Sequence, residues 1–245
     1  MNSTTAFQTE LAGSSAQTTA KKRSLLLRLI RAAQPISRTE IATRLQIDKS
    51  TVTENVKPLL DAGILREETL KEKVQGRRPR VLSFATDTEY FIGVNFGVRH
   101  TQVGITTMTG EIESEDDFET PTDAKTALRM ARGLIEQLIA ANPDRQLKMI
   151  GVSVPGMTDN DRRSLIFAPN LNWRNIDIAK ALHIDDSIRV IVENDSTAAA
   201  MYESRMKIRA TSDGWMSNFI LVRSGTGIGV GLVIGGEVYS GRGLG

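Results

Sequence analysis

The sequence contains no cysteine, which excludes disulfides and thiolate metal sites, and it has only two histidines, His100 and His183, as nitrogen ligands. Neither a metal site nor a bound cofactor is therefore expected from the residues present. Long hydrophobic runs are also missing. Apolar stretches such as Ile228 to Ile234 fall far short of the ~20 residues that a membrane helix requires. No basic-then-apolar segment opens the chain, so the expected localisation is cytoplasmic, with no membrane partner.

What is present is ordinary for globular protein: 245 residues, 40% hydrophobic and 24% charged, enough for one large domain or two ordinary ones. The formal charge of +2 conceals an asymmetry. Residues 20–85 carry 15 Lys/Arg against 7 Asp/Glu, whereas residues 86–245 carry 16 against 21. A basic first domain joined to an acidic second one is the distribution expected when one end meets a polyanion. A solvated charged face is the alternative that composition leaves open.

Residues 1–19 are rich in Ser, Thr, Gln and Ala without apolar periodicity and read as a disordered tail. From Ala20 the spacing of Leu25, Leu26, Leu29 and Ile30 predicts a helix. Gln34-Pro35-Ile36 ends it. Ser37-Arg38-Thr39-Glu40 then has the form of a capping box, opening a second helix that buries Ile41, Ala42 and Leu45. Asp48 is placed to cap a third helix running through Val52 and Val56 to Leu60, with Gly63 stopping it and Pro58 predicting a kink beyond Asn55. Three helices alone would fit a small bundle. The continuation argues otherwise, because Ile64 to Glu68 and Arg80 to Phe84 read as a hairpin whose connection is basic. Helices followed by a basic hairpin are the order of a winged helix-turn-helix, assigned to residues 20–85, with double-stranded operator DNA as partner.

Within the third helix, Lys49, Ser50, Thr51, Thr53 and Asn55 are the expected DNA contacts, since short polar and amide side chains read base edges while Lys, Ser and Thr near a helix start hold phosphates. Ser50 and Thr51 could instead be capping groups. Arg77 and Arg78 in the wing suit the minor groove or flanking phosphates, with solvated loop arginines as the competing reading.

The second domain, residues 86–245, opens with antiparallel strands at Tyr90–Phe96, Thr101–Thr107 and Glu111–Glu119. A helix over Ala124 to Ala141 follows, then strands at Lys148–Val154 and Arg189–Val192, a helix after Asp195, and strands at Phe219–Val222 and Ile228–Ile234. Glu193-Asn194-Asp195 closes a strand and opens a helix. Either Asn194 or Asp195 could be merely the N-cap, yet a carboxylate beside an amide at such a corner can also accept a sugar hydroxyl proton. Gly225-Thr226-Gly227 belongs to a glycine-rich turn whose amides could cradle a phosphate, although such turns are common in β proteins.

Taken together these stretches resemble the ROK family (repressors, open reading frames, kinases), in particular its winged-helix regulators of carbohydrate genes. The resemblance rests on Gly76-Arg77-Arg78-Pro79, Ile92 to Gly97, Gly151 to Gly156, Pro169-Asn170-Leu171-Asn172-Trp173, Glu193-Asn194-Asp195 and Gly225 to Gly229, and spans residues 20–245. It implies an α/β chain: a winged helix-turn-helix followed by an incomplete actin-like, ribonuclease-H-type domain of the sugar-kinase kind. It implies sugar contacts at Asn170, Asn194 and Asp195, a remnant of a phosphate loop at Gly225, Thr226 and Gly227, and a homodimeric repressor answering to a sugar or sugar phosphate, with an ATP-dependent sugar kinase or a truncated, constitutive DNA binder as the alternatives. Kinases of the family carry Asp-x-Gly-x-Thr on the first hairpin. Here the residues are Asn95-Phe96-Gly97-Val98-Arg99, and Asn lacks the carboxylate that organises Mg²⁺ and ATP phosphates, while Val98 and Arg99 crowd the loop. Catalysis is not expected. The family's Cys/His segment and most of a second lobe would follow Gly245, so Ile228, Val230, Leu232, Val233 and Ile234 are expected to be partly exposed.

The basic balance of the first domain carries a direct expectation. DNA affinity should fall with salt by close to 0.9 log unit per log unit of salt for each phosphate neutralised, a loss measurable by fluorescence anisotropy between about 50 and about 200 mM salt. Binding that ignores salt would refute the basic-face reading.

Overall fold

Leu26, Leu29 and Ile30 share one face of the first helix, and all are fully removed from solvent, each stabilising the fold by about 1.5–3 kcal/mol. The computed structural model describes residues 15–69, 79–205, 210–211, 214–215 and 217–239. They belong to two compact units, one of residues 1–85 with 205–216 and one of residues 86–204 with 217–245.

In the first unit α1 (Ser15–Ala33) begins five residues before the expected start, so the reading of residues 15–19 as tail is corrected. Gln34 closes it: its amide donates to Ile30 O at 2.8 Å, and its Oε1 accepts from Phe84 N at 2.8 Å. A two-residue strand, β1 (Ile36–Ser37), pairs with β3 (Arg80–Phe84), which also pairs with β2 (Leu65–Thr69), giving the sheet order β1-β3-β2. This short β1 went unforeseen because two residues carry no periodicity.

Helix α2 (Arg38–Leu45) is capped by Ser37, whose Oγ accepts from Glu40 N at 3.1 Å. Only half of the predicted capping box forms, because the Glu40 carboxylate accepts from Arg44 at 2.5 Å instead of reaching back. Gln46, in the left-handed region at φ 53°, makes the turn into α3 (Lys49–Asp61). Asp48 occupies the N-cap without a side-chain bond, and the helix continues through Pro58. Val52, Val56 and Leu59 of α3 are buried, as are Ile41 and Leu45 of α2.

The second unit is organised by a five-stranded sheet of order β11-β7-β4-β5-β6. Strands β4 (Glu89–Phe96), β5 (His100–Thr106) and β6 (Ile112–Glu119) are antiparallel; β7 (Gln146–Val154) runs parallel to β4, and β11 (Arg189–Asn194) parallel to β7. This is the ribonuclease-H-type arrangement. Crossing from β6 to β7 requires a helix, supplied by α4 (Ala124–Ala140), whose Ala127, Leu128, Ala131 and Ile135 are buried. Asp123 caps it, accepting from Thr126 Oγ1 at 2.6 Å and Thr126 N at 2.9 Å, bonds that hold its carboxyl below the usual carboxylate range.

Between β7 and β11 the chain makes a small antiparallel sheet of β8 (Met157–Thr158), β9 (Leu165–Ala168) and β10 (Trp173–Ile176), then the short helix α5 (Ile178–Ala181). Trp173 packs edge-on to Phe96 at 5.5 Å between ring centroids and donates from Nε1 to Thr122 O at 2.9 Å. After β11 comes α6 (Asp195–Arg205). Beyond it, among the residues that belong to the first unit, lie the two-residue strands β12 (Ala210–Thr211) and β13 (Gly214–Trp215), paired with each other. The sheet β14 (Phe219–Ser224), β15 (Ile228–Ile234) and β16 (Glu237–Val238) follows. No helix among the described residues is long and apolar enough to cross a membrane.

Strand β15 shows two unlike faces. Ile228, Val230 and Ile234 are exposed at 81%, 57% and 53%, and Leu232 is half-buried, as expected. Val233 is not exposed but fully buried, because side chains alternate along a strand and it shares the inner face with Gly229 and Gly231. Those glycines admit α6. A Cβ on Gly231 would stand 2.4 Å from Ala200 Cβ and 2.7 Å from Ser196 O, whereas one on Gly225 meets nothing within 4 Å. Gly231→Ala should therefore destabilise the protein by about 1–3 kcal/mol, while Gly225→Ala should be nearly neutral; chemical denaturation of both variants checks this, and equal stabilities would refute the packing.

Candidate functional site

The first unit presents α3. Lys49, Ser50 and Thr53 are exposed and Thr51 is half-buried, so these expected contacts lie on or beside the open face. Thr53 Oγ1 donates to Lys49 O at 2.9 Å, leaving the hydroxyl oxygen as an acceptor. Asn55 requires correction. It is 8% exposed, and its Nδ2 donates to Thr51 O at 2.8 Å, so it belongs to the packed face and is not positioned to read a base. The signal was in the sequence: Asn55 falls at helical spacing from Val52 and Leu59, beside Val56. Lys57, not among the contacts expected from sequence, is exposed and continues the i, i+4 stripe from Lys49 and Thr53. Arg77 and Arg78 lie outside the described residues. At the base of the wing Glu67, with a side chain 10% exposed, pairs with Arg38 and with Arg80 at 3.2 Å, bracing α2 against the β2–β3 hairpin.

In the second unit, one cavity of about 530 Å³ is lined by all the sugar contacts and phosphate-loop residues expected from sequence: Asn170, Asn194, Asp195, Gly225, Thr226 and Gly227. They converge because β4, β7 and β11 end at the same edge, and the β14–β15 turn faces α6 there. Asn194 performs the corner's construction. Its Oδ1 accepts from Ser196 N at 2.9 Å and Thr197 N at 3.1 Å, capping α6, while Nδ2 donates to Gly156 O at 2.9 Å and ties α6 to the end of β7. Gly156 has no space for a side chain, since a Cβ would lie 2.4 Å from Phe167 O. Asn170 is exposed on a 3-10 turn (Pro169–Leu171), and its Nδ2 reaches to 3.3 Å from where a Gly227 Cβ would be. The amide of Gly225 donates to Gly227 O at 2.9 Å within its own turn, which removes that donor from any phosphate.

Asp195 is half-buried: Oδ1 accepts from Ser196 Oγ at 3.2 Å, and Oδ2 meets Arg223 Nη1 at 2.8 Å. Arg223 was missed from sequence. Period-two alternation along β14 puts it on the same face as Phe219 and Leu221, and its register opposite Gly229 leaves its side chain room to reach α6.

Asn95 also lines the cavity. Its Oδ1 accepts from Ser153 Oγ at 2.8 Å, its Nδ2 donates to Gln102 Oε1 at 3.0 Å, and Gln102 Nε2 donates to Glu115 Oε1 at 2.9 Å. A polar chain thus crosses β7, β4, β5 and β6. Val98 lines the cavity as expected, whereas Arg99 is exposed and stands outside its lining.

Because Asn194 satisfies two amides of α6 and one carbonyl of the β7 corner, Asn194→Ala should destabilise the protein by about 1–3 kcal/mol through the lost cap and the orphaned carbonyl. Urea unfolding measures this, and wild-type stability would remove Asn194 from its structural role.

Comparison with known proteins follows the two units. Residues 21–68 match a helix-turn-helix domain and residues 91–245 match the ROK family. The xylose repressor of Bacillus subtilis (strain 168) is 30% identical over 233 residues, 92% of this chain and 59% of the relative. The DNA-binding transcriptional dual regulator NagC of Escherichia coli (strain K12) is 27% identical over 220 residues, 88% of this chain and 53% of the relative. The chain thus spans between half and three-fifths of their length. Among solved structures, a ROK family transcriptional regulator homologous to the E. coli MLC protein superposes with TM-score 0.67 at 21% identity, covering 91% of this chain and 56% of that one. A ROK family glucokinase from Streptomyces griseus, in complex with glucose and AMPPNP, gives TM-score 0.53 at 28% identity over 62% of this chain and 47% of that one. With the family model matching more than half its length, and with the helix-turn-helix ahead of it, the chain belongs to the ROK family.

Proposed function

We propose that this protein is a sugar-responsive transcriptional repressor that binds operator DNA as a homodimer and takes a carbohydrate effector in the cleft at Asp195. The observation that carries this reading is the union, in one chain, of an α3 whose polar stripe stands open with a ROK-type cleft that has an amide at its first hairpin. Relatives named xylose repressor and N-acetylglucosamine repressor support it, and suggest a pentose or an amino sugar as effector. A dimer follows from the way helix-turn-helix proteins read paired half-sites with two-fold symmetry.

Catalysis fits the site poorly. Mg²⁺ and the phosphates of ATP call for a carboxylate on the first hairpin, and Asn95 instead exchanges hydrogen bonds with Ser153 and Gln102. Its two polar atoms are engaged, and neither carries charge. The residues of this hairpin do not fit Mg²⁺-ATP. The protein is accordingly proposed to bind sugars without phosphorylating them, and to need no cofactor.

Electrophoretic mobility shift with the intact protein tests the reading. Operator fragments should be retained, and D-xylose or N-acetyl-D-glucosamine should release them. Lys49→Ala and Lys57→Ala should weaken binding to all sequences alike, while Ser50→Ala and Thr53→Ala should cost discrimination between sites, about 1–3 kcal/mol where the side chain meets a base edge. No retention of any duplex at low salt, or sugar-dependent ATP consumption lost in Asp195→Ala, would overturn it.

A further inference from the structure

The charge of the cleft is unusual for a site that would hold a phosphate. Among the described residues lining it, Asp195 and Arg223 are the charged ones; the others are amides, hydroxyls, glycines and apolar groups. These two face each other at 2.8 Å, with side chains 22% and 47% exposed. The described part of the lining is therefore charge-balanced before any ligand enters. Phosphate sites are ordinarily built with surplus positive charge or with converging backbone amides. Here the guanidinium is already matched to a carboxylate, and the turn amide of Gly225 is spent on Gly227 O.

We propose that Arg223, by pairing with Asp195, is the specificity-determining residue of the effector site, balancing its charge so that it accepts uncharged polyols and rejects phosphorylated sugars. The inference rests on the reading of this cleft as a carbohydrate site and narrows the class of effector. A neutral hydroxyl can donate to Asp195 while accepting from a remaining N–H of Arg223, since a guanidinium carries five donors and Asp195 occupies one Nη; the ion pair survives. A phosphate would bring about two negative charges beside the Asp195 carboxylate, and meets that carboxylate's repulsion whether it takes a remaining N–H of Arg223 or displaces the carboxylate from the guanidinium. Rejection of one ligand class by an unpaired charge is a common source of specificity.

Isothermal titration of the intact protein with D-xylose, D-glucose and N-acetyl-D-glucosamine, and with glucose 6-phosphate and N-acetylglucosamine 6-phosphate, tests this. A neutral sugar should bind at least about tenfold tighter than its phosphorylated form, which corresponds to 1.4 kcal/mol. Asp195→Asn removes the negative charge and frees Arg223, and should invert the preference. Arg223→Leu should weaken the neutral sugar at least about tenfold without admitting the phosphate, and Arg223→Lys should restore part of the affinity. Thermal unfolding of each variant reports whether it folds; a purely structural role would weaken both ligand classes by one factor and leave their ratio unchanged, refuting the proposal. Tighter binding of the phosphorylated sugar by the wild-type protein would overturn this inference while leaving the effector reading intact. Binding of neither class would overturn both.

Discussion

Strand β4 lies at the centre of the second unit's sheet, hydrogen-bonded antiparallel to β5 on one side and parallel to β7 on the other. Tyr90, Ile92, Val94 and Phe96 alternate into the core at 2% exposure or less, so a one-residue slip would turn an entire apolar row outward. That penalty pins the register, and the register places Asn95 opposite both Ser153 and Gln102. The polar chain through Asn95 is thus a consequence of the hydrophobic pattern around it. So is the cleft, since β4, β7 and β11 must end together once they are paired.

The second constraint is steric. Helix α6 can lie close to β15 because Gly229 and Gly231 present no side chain to Ser196 and Ala200. Small residues on both sides bring the glycine-rich turn near the start of α6, and Arg223 comes within reach of Asp195 as a result. Packing and recognition are joined here, because the contact that holds the helix also sets the charge of the site. The opposite face of the sheet carries exposed Ile220, Val222, Ile228 and Val230.

Much of this architecture was legible in residue spacing. Period-two runs marked the principal strands, and the 3.6-residue spacing of Leu128, Ala131 and Ile135 marked α4. Ser37 and Gly63 marked helix ends through local chemistry, with Gly63 at φ +70° supplying the left-handed turn. The misreadings have physical causes. Asn55 has the chemical type of a base reader, yet helical geometry turns it inward, where it bonds to Thr51 O. The capping box was half-formed because Arg44, one turn along α2, competed for the Glu40 carboxylate. Val233 lies in the same apolar run as exposed Ile234, yet alternation assigns it to the inner face.

The sequence by itself determined the order of the principal elements and the basic character of residues 20–85, because periodicity, capping and charge are local properties, while the polar residues of the cleft were marked by the family resemblance. Tertiary structure alone decided what those residues do for one another. Asn194 is bound to Gly156, 38 positions away, and Ser153 to Asn95 across 58. Asp195 meets Arg223 through the approach of α6 to β15. Such partners are chosen by the packing of strands and helices distant in the chain, and no local pattern records which side chains that packing will bring together.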